Sequence, residues 1–169
     1  MFEALLSFRS LRLGQLGLAV AVAFSAQQTV ALPASPFQKF IGEWRGGGEI
    51  VASNGHRESI RCRAEYAEAK NGSALSQAIV CASESFKLNI KSYAEASGES
   101  VQGYWSEAAR DLSGHLTGRI QEGRFEGEIS APAFTAAISL TSNGRSQAVS
   151  IRPHGGDVSD VRIELERRT

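Results

Sequence analysis

From position 43 onward, apolar and polar residues alternate along the chain. Leu112, Leu116 and Ile120 share one phase, and His115, Thr117 and Arg119 take the other. A period of two places successive side chains on opposite faces of a strand. One phase carries Ile60, Leu88, Ile90, Trp105, Phe125, Ile138 and Ile163, and the other carries Arg61, Arg63, Lys87, Lys91, Glu126, Glu128 and Arg162. The pattern predicts strands near 43–52, 57–69, 74–83, 86–96, 100–106, 111–121, 124–130, 133–141, 146–153 and 158–167.

Turn dipeptides separate these runs: Asn54-Gly55, Asn71-Gly72, Ser97-Gly98, Glu122-Gly123, Asn143-Gly144 and Gly155-Gly156. Such pairs between alternating runs mark hairpins, and the loop then fixes which residues face each other. With Asn71-Gly72 as a loop, Cys62 falls opposite Cys81 and Ala64 opposite Ile79. With Glu122-Gly123, Ile120 faces Phe125 and Leu116 faces Ile129. Ser97-Gly98 as a two-residue loop sets Ile90 against Trp105, and Asn143-Gly144 sets Ile138 against Val149. A three-residue loop around Gly155-Gly156 sets Ile151 against Val161. Asn54-Gly55 fits two residues poorly and calls for a longer loop or a bulge.

Strands paired in sequence order, with one apolar face and no helix to cover it, must bury that face by curling. The expected fold is therefore all-β: an antiparallel up-and-down meander barrel of about eight to ten strands. Two stacked sheets would satisfy the same alternation, but sequential pairing favours closure. One short helix is expected at Ser35–Ile41, with Ser35 as N-cap and Pro36 in first position, plugging one mouth. Gly46-Gly47-Gly48 follows in the first strand. No helix begins there and no Lys-Ser/Thr follows, so it reads as a strand bend or a close backbone approach.

Residues 1–34 read as a signal peptide. Arg9 and Arg12 precede an apolar run, Leu13 to Ala26, which is short of the roughly 20 residues a spanning helix needs. The cleavage site is open, and no stable membrane span is expected after processing. Residues 35–169 then form a single barrel domain in a periplasmic or secreted protein. The 18 basic and 18 acidic residues balance and form no basic stripe, which argues against a nucleic-acid partner. Two cysteines in an exported chain read as one disulfide, Cys62–Cys81.

Phe40-Ile41-Gly42-Glu43-Trp44-Arg45, a short apolar turn running into Gly-x-Trp at the first strand, resembles the start of the calycin group. That group includes lipocalins, fatty-acid-binding proteins and nitrobindin-like barrels. The resemblance implies a plugged barrel with a ligand inside, and an arginine late in the chain packed on the tryptophan; Arg162 and Arg167 are the counterparts on offer. A nitrobindin-type haem would require an inward histidine late in the barrel. None is in phase, so no cofactor is expected.

His115 points outward, and His56 and His154 sit at hairpin ends, so the three histidines make no metal set. No nucleophile elbow and no carboxylate pair across a cleft is visible, and the chain reads as a non-enzyme. Gly103, Gly114, Gly118 and Gly127 fall in the inward phase. They either leave a void or relieve crowding where the barrel coils. The void reading makes the protein a binding barrel for a small apolar ligand, with Trp44, Tyr66, Trp105 and Phe134 as the ligand-binding residues. The rival is a filled barrel serving as an envelope structural or interaction protein or a protease inhibitor.

Overall fold

The computed structural model describes residues 34–85 and 87–168. The leader reading therefore falls outside the described residues except at Ala34, as does the expected strand start at Phe86. Pro33–Thr169 forms one compact unit.

Ten strands follow in order: β1 (Gly42–Ala52), β2 (Arg57–Ala69), β3 (Ala74–Ala82), β4 (Lys87–Ser97), β5 (Ser100–Glu107), β6 (Leu112–Gln121), β7 (Arg124–Ala131), β8 (Phe134–Ser142), β9 (Ser146–His154) and β10 (Val158–Arg167). Each pairs antiparallel with the next, and β1 pairs with β10, closing the barrel. The closing seam runs from Trp44 opposite Arg167 to Ile50 opposite Val161.

Closure has a steric requirement that Gly46 and Gly48 of β1 meet. A Cβ on Gly46 would lie 1.9 Å from the Glu164 carbonyl oxygen, and one on Gly48 would lie 1.8 Å from that of Arg162. Only a residue without a side chain lets β1 approach β10 this closely. The register slips between Val51 and Ala52, and the β1–β2 loop is tied by Ala52 N–H donating to the His56 carbonyl. The longer loop expected at Asn54-Gly55 is thus present, and the bulge lies on the β10 side of β1.

Cys62 and Cys81 face each other across β2 and β3 and are joined by a disulfide, with sulfurs 2.06 Å apart. Their Cα atoms are 4.1 Å apart. That is closer to the spacing of a non-hydrogen-bonded antiparallel pair, about 4.5 Å, than to the other kind. Ile120 faces Phe125, and Ile151 faces Val161.

Two hairpins depart from the expected register by two residues. Ile90 faces Glu107, and Ser92 faces Trp105. The turn is Gly98-Glu99, because the positive φ falls on Gly98 at 60° and Ser97 stays in the strand. Ile138 faces Ile151, not Val149. Here the Asn143 carboxamide oxygen accepts from the Arg145 and Ser146 N–H groups, each at 2.8 Å. This side-chain-capped turn lengthens the loop. A two-residue slip keeps every side chain on its own face.

The plug is not a helix. Pro36–Phe40 forms consecutive turns, with Gln38 N–H donating to the Ser35 carbonyl and Phe40 N–H to that of Phe37. The segment is too short to outweigh the cost of helix nucleation, and its polar groups bond to the barrel rim instead. Ser35 Oγ–H donates to the Gly72 carbonyl at 2.7 Å, Ser142 Oγ–H to that of Lys39 at 2.6 Å, and Lys39 Nζ–H to that of Glu122 at 3.1 Å. Phe37 and Phe40 are buried in the core.

Candidate ligand-binding cavity

The inward apolar residues are unequally covered. At the plugged end Phe37, Phe40, Trp44, Val101 and Phe125 are buried. Toward the other end Ile79, Leu88, Ile90, Ile138 and Ile151 share the inward phase yet are only half-buried. An inward apolar side chain keeps free surface only where it borders a space. That space is a cavity of about 370 Å³ lined by these five residues, Trp105, Phe134 and others. It lies within the range of small-molecule sites, roughly 300–1,000 Å³. A void of about 60 Å³ sits on the plugged side, bordered by Phe37 and Phe40.

Four aromatic residues were expected to hold a ligand, and the barrel separates them into two pairs. Trp105 and Phe134 line the large cavity, with ring centroids 5.9 Å apart and planes tilted by 48°. Trp44 and Tyr66 lie at the plugged end and do not line it. The Trp44 Nε1–H donates to the Phe40 carbonyl at 2.8 Å, and Arg167 lies over the Trp44 ring, 4.9 Å from its centroid. The arginine implied by the resemblance is therefore Arg167. Arg162 is exposed and bonds Asp160 at 2.9 Å. Burial raises the Tyr66 pKa above the ordinary phenol range, so this side chain stays neutral.

The inward glycines answer to crowding. A Cβ on Gly114 would meet the Ser130 carbonyl oxygen at 1.7 Å and Trp105 Nε1 at 3.0 Å. The glycine admits the indole, and the cavity arises elsewhere, from aliphatic side chains that do not meet across the barrel. The disulfide also lines the cavity.

Three polar residues on the inner wall, Gln77, Ser92 and Glu107, were not singled out from the sequence. Gln77, Ser92 and Trp105 are cross-strand neighbours on β3, β4 and β5. Ser92 Oγ–H donates to Gln77 Oε1, and the buried Trp105 Nε1 has no hydrogen-bond partner among the described residues. At the end away from the plug, Glu107 is 3% exposed. Its carboxylate accepts from the backbone N–H groups of Asn89 (2.9 Å), Ala109 (3.1 Å) and Arg110 (2.9 Å) and from Arg110 Nη1 (3.5 Å). Burial pushes its pKa up, but these donors outweigh it and hold the carboxyl below its ordinary value. The available signal was parity: Gln77, Ser92 and Glu107 stand in the inward phase beside Ile79, Ile90 and Trp105.

His56, His115 and His154 are all exposed. No histidine lines the cavity among the described residues, so the lining lacks the axial ligand that a nitrobindin-like haem would need. Among the described residues no group of three or more His, Cys, Asp or Glu is placed to hold a metal ion.

No family model and no curated protein sequence matches the chain. Solved structures do. The chain is similar to Rv2717c from M. tuberculosis, with 15% identity and a TM-score of 0.61, over 80% of this chain and 99% of that one. It is also similar to the S-type phycobiliprotein lyase CPES from Guillardia theta, with 12% identity and a TM-score of 0.55, over 79% of this chain and 90% of that one. At these identities the likeness is one of fold alone.

The expectation of a non-enzyme is corrected by the second likeness, since a protein named a lyase shares this barrel. A fold does not set an activity. Side chains converging inside a barrel come from separate strands, so they leave no local motif whose absence could exclude catalysis.

Proposed function

We propose that the protein is an extracytoplasmic barrel that holds one small apolar ligand in the cavity beside Trp105 and Phe134. The observation that carries this reading is the cavity of about 370 Å³, walled by inward aliphatic side chains that stay half-exposed because nothing among the described residues covers them. The unfilled interior weighs against the rival reading of a filled structural barrel. Export is supported by the Arg9 and Arg12 leader pattern and by the Cys62–Cys81 disulfide, since disulfides persist in oxidising compartments. Among the described residues no helix is long and apolar enough to cross a membrane. In this reading Trp44 and Tyr66 hold the closed end, and Trp105 and Phe134 touch the ligand.

Native mass spectrometry of the protein purified from its source, followed by tryptophan-fluorescence titration with apolar compounds, tests the proposal. The expected result is a one-to-one complex that quenches or shifts Trp105 emission. Failure of every apolar compound that fits the volume to bind would overturn it.

A further inference from the structure

The cavity of about 370 Å³ and the void of about 60 Å³ under the plug share three lining residues, Gln77, Leu116 and Ile138. A residue that borders both spaces belongs to the partition between them. These three stand on β3, β6 and β8, so they close the section from different sides of the barrel. Leu116 holds the critical place. Across β5 it faces Gly103, and its inward neighbours on β6 are Gly114 and Gly118. None of these glycines offers a Cβ. Instead Trp105 packs on Gly114 and the Phe125 ring on Gly118, at 3.0 and 2.7 Å from where a Cβ would stand. Trp105 lines the cavity and Phe125 lines the void. Leu116, only 8% exposed, therefore divides the two.

We propose that Leu116 is the floor of the ligand site and sets how long an alkyl chain the barrel takes. This inference rests on the binding reading above. A chain that lies in the cavity with its end toward the plug meets the Leu116 side chain. Behind it the void is walled by apolar side chains, among them Phe37, Phe40, Leu75 and Val101. Truncation at this position opens the partition and keeps it open, because flanking glycines have no side chains to collapse into the gap. An apolar cavity of about 150 Å³ holds a benzene ring. The void has less than half that volume, so it admits the end of an unbranched chain and not a ring.

The test titrates straight-chain 1-alkanols, from hexanol to tetradecanol, into the wild-type protein, Leu116→Ala and Leu116→Phe. A ring compound, 2-ethylnaphthalene, is the control. In the wild type, affinity should rise about fourfold per methylene and level off once the tail reaches Leu116 and further carbons stay in water. In Leu116→Ala the levelling should come at least about three carbons later, the number that the substitution deletes. In Leu116→Phe it should come earlier. The affinity for 2-ethylnaphthalene should change less than about threefold in Leu116→Ala, since a ring gains nothing from the void. A second readout needs no variant and decides the matter if a variant does not fold. Nuclear Overhauser contacts of the bound alkanol's terminal methyl in the wild type should reach the Leu116 methyls and not the Phe40 ring. A levelling length unmoved by both substitutions, a gain for the ring compound equal to that for the chains, or contact with Phe40 in the wild type would overturn the floor assignment and leave the binding reading standing. So would binding of 2-ethylnaphthalene with no alkanol bound. If neither kind of probe binds the wild type, both fall.

Discussion

Arg167 lies over the ring of Trp44, 4.9 Å from its centroid, and the two residues are register partners across the β1–β10 seam. Arg167 Nε also donates to the Gly144 carbonyl at 2.6 Å, while the Trp44 indole donates to that of Phe40. One contact therefore joins the first strand, the last strand, the plug and the β8–β9 turn. Arg167→Ala removes a cation–π contact and a charge-assisted hydrogen bond. It should lower stability by about 2 kcal/mol, read by urea denaturation. Arg167→Lys should recover only part, because an ammonium cannot stack as a guanidinium does.

The disulfide closes a loop of 19 residues by sequence separation. Replacing both cysteines with alanine should lower stability by about 3 kcal/mol in the chain-entropy account. Far-UV circular dichroism at low temperature should stay unchanged, since the strand register does not depend on the bridge. An unaltered melting temperature would refute the prediction.

Gly48 tests the seam directly. Gly48→Ala puts a methyl where the Arg162 carbonyl oxygen now stands, 1.8 Å from the new atom. The backbone must yield, and overpacking of this kind costs about 1–3 kcal/mol. Gly55, with nothing within 4 Å of its Cβ position, is the control for crowding, although its φ of 85° brings turn strain of its own. Differential scanning calorimetry should show the larger loss at Gly48.

Glu107 predicts a pH dependence. Its folded-state pKa is depressed below the ordinary carboxyl value because backbone N–H groups and Arg110 outweigh its burial. The stabilisation is therefore fully present above the unfolded pKa of about 4.3 and fades as pH falls through the lower folded value. Glu107→Gln removes this term. The stability gap between wild type and variant should be widest at neutral pH and narrow in acid, as followed by urea titration across the range. A gap that is constant with pH would sink the assignment.

The cavity predicts tolerance to added bulk. Leu88 borders it and is half-buried. Leu88→Trp should fill free volume, leave stability within about 1 kcal/mol of wild type and weaken binding of 2-ethylnaphthalene at least tenfold, as measured by calorimetry. In a filled barrel the same change would be destabilising.

The ten strands, their faces and the disulfide partners were legible in the sequence. Each strand declares its two faces by alternation, and six of the nine turns by a glycine or asparagine able to adopt positive φ. These signals are local. Even the two misjudged turns, at Gly98 and Asn143, did no harm to the faces, because a shift of two residues returns each side chain to the same side. Their loop lengths were not readable from a dipeptide: one depends on which residue takes the positive φ, the other on the Asn143 carboxamide reaching two backbone donors.

What only the tertiary structure decided is depth along the barrel axis. Alternation says that Trp44, Tyr66, Trp105 and Phe134 point inward, but not at which end. That follows from where β1 meets β10, a contact between the two ends of the described chain that no local pattern encodes. Closure places Trp44 and Tyr66 under the plug and Trp105 and Phe134 in the open half. The cavity has the same origin. Whether inward side chains touch or leave space depends on the diameter set by ten closed strands, and the aliphatic residues of β3, β4, β8 and β9 do not reach across it.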